Sequence, residues 1–107
     1  MPAGILLAIA IATEVAATIS LRYSDGFSKP LPSAIVVVGY AFSFWLLALV
    51  LKEISVSTTY AIWAGAGTAA VAVIGIAALG EPATALKIAS IALIIAGVVG
   101  LNLSGAN

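Results

Sequence analysis

The stretch ILLAIAIATEVAATISL, residues 5–21, decides how the chain is to be read. It is long enough to cross a bilayer, and Glu14 is its only charge. ILLAIAIAT precedes that glutamate and VAATISL follows it, so no polar break explains its presence. A carboxylate near the middle of a membrane costs roughly 2.5–3.5 kcal/mol on insertion scales, and such a residue ordinarily faces a protein interior or a water-filled cavity. The chain has no histidine and no cysteine. Glu14 is therefore the only acidic side chain within a span and the candidate there for exchanging a proton.

Outward from this segment the pattern repeats. The 107 residues are 64% hydrophobic and 7% charged, with a mean hydropathy of +1.28. A soluble domain carries about 25% charged residues, so this chain cannot cover a water-facing surface. Apart from Glu14, the charges (Arg22, Asp25, Lys29, Lys52, Glu53, Glu81 and Lys87) lie in or beside the breaks between apolar runs. A span takes about 20 apolar residues, and the intervals 3–21, 33–51, 55–79 and 85–104 each qualify. The expected fold is an all-α membrane protein, one domain over 1–107 with four transmembrane helices and little outside the bilayer.

The breaks carry turn chemistry. RYSDGFSKPLP holds the Asp25-Gly26 pair and two prolines, and KEISVST offers Ser55, Ser57 or Thr58 as a helix cap. In GEPAT, Gly80 suits a helix C-terminus and Pro82 a place near the first turn of the next helix. Residues 1–21 lack the basic start of a signal peptide, and their apolar run is interrupted by glutamate. An even number of spans places loops one and three on one side with Arg22, Lys29 and Lys87, against Lys52 on the other. The positive-inside rule favours loops one and three in the cytoplasm only weakly, which leaves room for insertion in both orientations.

Several residue patterns point to a cation site. On the first helix Leu7, Ala10, Glu14, Ala17, Thr18 and Leu21 share a side, and the small residues leave space for a ligand or a partner helix. A structural bond from Thr18 to Glu14 is the plainer alternative for the carboxylate. The second helix aligns Tyr40, Ser43, Phe44 and Leu47; the third aligns Tyr60, Trp63 and Gly67. Aromatic faces attract cations and a carboxylate neutralises them, whereas an interfacial aromatic belt is the competing explanation for Tyr60. Gly65 and Gly67 mark the third helix as a candidate hinge. Ala92, Ala96 and Gly100, with Gly97 beside them, form the small-residue spacing that lets membrane helices pack closely. The polar poverty of the fourth helix suggests association with another copy rather than a place in the site. Zero net charge argues against a nucleic-acid partner, and the spans hold no constellation expected of an enzyme, metal or cofactor.

Together AxxxE at 10–14, RYSDGF at 22–27, Pro32-Ser33, FSFWLL at 42–47, YAIWAGAG at 60–67 and LIIAGVVGLNL at 93–103 resemble the small multidrug resistance family of bacterial proton-coupled exporters. The resemblance covers the whole chain. It implies an antiparallel, dual-topology homodimer in the bacterial cytoplasmic (inner) membrane, with protons and organic cations competing for Glu14 in alternating access. It further implies Tyr40, Tyr60 and Trp63 as cargo-facing aromatics, Thr18 and Ser43 as polar neighbours, and Leu93, Ile94, Gly97 and Val98 as the dimer seam. The family's guanidinium subtype typically has tryptophan three residues after the glutamate. Here that position is Ala17, so the chain looks more like the subtype that exports quaternary ammonium cations. The loop GEPATALK departs from this and is similar to the guanidinium subtype, which stays as the alternative. A non-transporting membrane subunit that uses Glu14 for assembly is a further alternative.

Overall fold

A computed structural model describes residues 2–104. Its four helices are α1 (Ala3–Tyr23), α2 (Pro30–Val50), α3 (Val56–Ala78) and α4 (Ala85–Leu103). All four are long and apolar enough to cross a membrane. At 1.5 Å per residue a 21-residue helix such as α1 or α2 is about 31 Å long, close to the roughly 30 Å hydrocarbon core. The sequence-based bounds shift by more than one residue in two places. α1 extends past Leu21 through Arg22 and Tyr23. α2 begins at Pro30, three residues before the expected start, because both prolines sit in its first turn, where no amide hydrogen is needed.

The loops follow from local chemistry. Asp25, Gly26 and Phe27 all take positive φ (50°, 68° and 67°), a conformation that is costly for the two non-glycine residues. Buried Ser24 holds this turn together. Its hydroxyl donates to the Leu21 carbonyl at 2.7 Å and accepts from Phe27 N–H at 3.1 Å, and its carbonyl accepts from Ser28 and Lys29. Ser55 caps α3 by accepting from Thr58 N–H, and Thr84 caps α4 by accepting from Lys87 N–H. Pro82 lies in the loop two residues ahead of the Thr84 cap, near the first turn of α4. Gly80, at φ 71°, reverses the chain after α3.

Packing is uneven. α1 and α2 share the tightest seam: Gly39 lies so close to α1 that a Cβ there would sit 2.9 Å from that of Ala17. Across the same seam the buried Ser43 hydroxyl donates to the Ala10 carbonyl at 2.7 Å. Leu7, Ala10, Leu46, Leu47 and Val50 form the core, flanked by Ile62 and Trp63 of α3. α3 bridges α1 to α4, while α4 packs against α3 and has no buried residue.

Candidate functional site: a carboxylate-bearing cavity

Glu14 is half-buried on α1 and faces α3. Its two oxygens have different surroundings. Oε1 accepts a hydrogen bond from Thr18 Oγ1 at 2.8 Å, one helical turn on. Thr18 Oγ1 also lies 2.6 Å from Tyr40 Oη. A threonine hydroxyl has one proton, so with that proton given to Glu14 the tyrosine must donate to Thr18. The result is a relay from Tyr40 on α2 through Thr18 to Glu14. Oε2 lies over Gly67, where an added Cβ would come within 3.1 Å of it. Glycine at 67 thus lets α3 approach the carboxylate. The bond from Thr18 expected as the plainer role of Glu14 is present, yet it engages one oxygen only.

The carboxylate opens on a cavity of about 440 Å³ walled by Thr18 of α1 and by Trp63, Ala64, Gly67 and Thr68 of α3. Its far end is bounded by Val71, Ala72, Glu81 and Lys87. Lys87 brings the first turn of α4 into the lining, contrary to the expectation that α4 contributes nothing to the site. A second, wholly apolar cavity of about 170 Å³ lies on the other side of Trp63, between Phe44 and Leu47 of α2 and Val56, Thr59 and Tyr60 of α3. Four rings form a connected series beside these cavities: Tyr40, which lines neither, stacks on Phe44 at 6.3 Å, Phe44 tilts onto Trp63 at 6.0 Å, and Tyr60 meets Trp63 edge-on at 6.0 Å. These separations fall within the attractive range for aromatic pairs. Trp63 Nε1 and Thr59 Oγ1 are buried and, among the described residues, have no hydrogen-bond partner.

The expected pocket residues therefore divide. Glu14, Thr18 and Trp63 line the main cavity, Tyr40 reaches it through Thr18, and Phe44 and Tyr60 line the smaller one. Ala10, Ala17 and Ser43 are fully buried in the α1–α2 seam and line neither. Ala17 consequently does not enlarge the cavity, because the space beside it is taken by Gly39. α3 runs unbroken through Gly65 and Gly67; Gly65 admits Val98 and Ile94 of α4. The four residues expected at a dimer seam split accordingly. Ile94 and Val98 pack on α3, while Leu93 is 74% exposed and Gly97 faces open space. Glu81 and Lys87, at the cavity mouth, were not singled out from sequence. Their loop-edge position marked them as ordinary interfacial charges.

These features define a small multi-pass membrane protein whose mid-span carboxylate lines an open cavity beside α3. The family profile described as Small Multidrug Resistance protein matches residues 3–94, and the chain belongs to that family. A guanidinium exporter of Yersinia pestis is 45% identical over 102 residues, spanning 95% of this chain and 98% of the relative. The guanidinium exporter of Escherichia coli strain K12 is 44% identical over 100 residues, 94% of this chain and 95% of its own. Multidrug resistance protein EbrA of Bacillus licheniformis is also 44% identical with the same coverage. With its four spans, the protein is a multi-pass protein of the bacterial cytoplasmic membrane.

Proposed function

We propose that the protein is a proton-coupled exporter of guanidinium-type organic cations, in which protons and cargo compete for Glu14. The observation that carries this is the Glu14 carboxylate, which is bonded by Thr18 at one oxygen and belongs to a residue lining the cavity. A planar guanidinium presents N–H donors in a fork that matches a carboxylate, and the Tyr40–Thr18 relay holds that carboxylate in one orientation. The names of the Yersinia and Escherichia relatives and the GEPATALK loop support this cargo class over the quaternary ammonium one. The burial of Ala17 against Gly39 removes the argument for a widened pocket. In this reading two chains associate in opposite orientations. Each supplies a Glu14, the exposed small-residue face of α4 forms the contact, and Gly65 and Gly67 give α3 the freedom to bend as the site alternates.

A second reading, export of quaternary ammonium or aromatic cations, is favoured by the ring series from Tyr40 to Tyr60 and by the EbrA relative. Proteoliposomes with an imposed pH gradient separate the two. Guanidinium uptake with little response to tetraphenylphosphonium is the expected result. Robust tetraphenylphosphonium exchange without guanidinium transport would transfer the protein to the second reading.

A further inference from the structure

The main cavity has a second carboxylate. From Glu14 its wall continues along α3 through Thr68, Val71 and Ala72 toward the end of the molecule where the loops at 24–29 and 79–84 lie, and there it meets Glu81 and Lys87. Glu81 is placed by backbone geometry. Gly80 turns the chain back, Glu81 N–H donates to the Gly75 carbonyl at 3.0 Å, and the carboxylate settles over Gly75, where any Cβ would overlap it. α3 therefore carries two glycine seats, Gly67 beneath Glu14 and Gly75 beneath Glu81. They are eight residues apart, which is about 12 Å along the helix. No single small cation can touch both carboxylates at once.

Lys87 Nζ lies 3.4 Å from Glu81 Oε1, with the two side chains 32% and 41% exposed. A partly exposed ion pair of this length contributes little stability, so the lysine ammonium can be exchanged for another cation at small cost. The other charges at this end, Arg22, Asp25 and Lys29, are exposed and outside the cavity lining. We propose that Glu81 is an outer station for the cargo cation at the cavity mouth, with Lys87 as the resident counter-ion that cargo displaces on its way to or from Glu14. The ligand is an organic monocation bearing N–H donors, and the proposal rests on the reading that this cavity carries cations.

The test is pH-gradient-driven guanidinium uptake in proteoliposomes by wild type, Glu81→Gln, Lys87→Gln and Gly75→Ala. Removing one attractive charge from a cleft changes capture by about tenfold at low salt. Glu81→Gln should raise KM by roughly that factor while its maximal rate stays near wild type, and the gap should close at high salt, where the screening length falls to about 3 Å. Lys87→Gln should shift KM the other way, because Glu81 is then unoccupied. Gly75→Ala keeps the charge but unseats the carboxylate, so it should raise KM less than Glu81→Gln does and remain salt-sensitive. An unchanged KM in Glu81→Gln, or KM shifts of the same sign in Glu81→Gln and Lys87→Gln, would overturn the proposal and leave the pair a structural one. Glu14→Gln run alongside separates the two ideas. If wild type carries no guanidinium, the cation-carrying reading itself fails; if Glu14→Gln is dead while Glu81→Gln matches wild type, only the outer station is lost.

Discussion

At the scale of single residues, the division of labour within Glu14 is the central feature. Oε1 is held by Thr18, Oε2 lies over Gly67, and the residue as a whole lines the cavity. Glu14→Gln keeps the shape and can still accept from Thr18, but it cannot exchange a proton for a cation. We expect that variant to remain folded, as judged by its size-exclusion profile, and to lose gradient-driven transport. Retention of transport would remove Glu14 from the mechanism. Tyr40→Phe breaks the relay one step further back. A lost hydrogen bond is worth about 0.5–1.5 kcal/mol, or roughly twofold to tenfold in apparent cargo affinity. Calorimetric titration in detergent should register that loss, with Thr18→Val at least as impaired because it removes the bond to Glu14 as well.

At the scale of helices, the protein is an α1–α2 pair to which α3 and then α4 are added. The pair depends on Gly39 and Ala17 lying in contact and on the bond from Ser43 to the Ala10 carbonyl. Gly39→Ala would force the two helices apart, and overpacking of this kind costs about 1–3 kcal/mol. Ser43→Ala should cost less, about 0.6 kcal/mol, the average for hydrogen bonds between membrane helices. Thermal unfolding in detergent should therefore rank Gly39→Ala below Ser43→Ala, with both below wild type. The reverse order would mean that the seam is held by its polar bond and not by its close approach.

At the scale of the molecule, α4 is the element that the single chain leaves unfinished. None of its residues is buried, and its small residues Ala92, Ala96, Gly97 and Gly100 are exposed. Lipid satisfies an apolar face, but a stripe of small residues gains more from another helix. If inverted copies pair there, lysines added to the 24–29 loop should hold every copy in one orientation and sharply reduce transport by that variant alone. Co-expression with a variant fixed in the opposite orientation should restore it. Full activity of one fixed variant by itself would exclude the inverted pair.

The four helices, their approximate ends and the position of Glu14 as a lone charge inside a span were legible without coordinates. Apolar length sets a membrane span regardless of what surrounds it, and a charge inside such a span is costly enough to demand a reason. The cap of α3 was readable to within Ser55, Ser57 or Thr58, and the end of α3 near Gly80 likewise, since both depend on neighbours a few residues away. Which residues face the cavity was not. Periodicity placed Ala10, Ala17 and Thr18 with Glu14 on one broad side of α1, yet α2 approaches that side closely enough to bury the two alanines and leaves Thr18 to the cavity. Nor could spacing reveal that Glu81 and Lys87, far from Glu14 in sequence, line the same cavity. Helical period fixes a side chain's direction around its own axis. Only the packing of one helix on another decides whether that direction leads to a seam, a cavity or lipid.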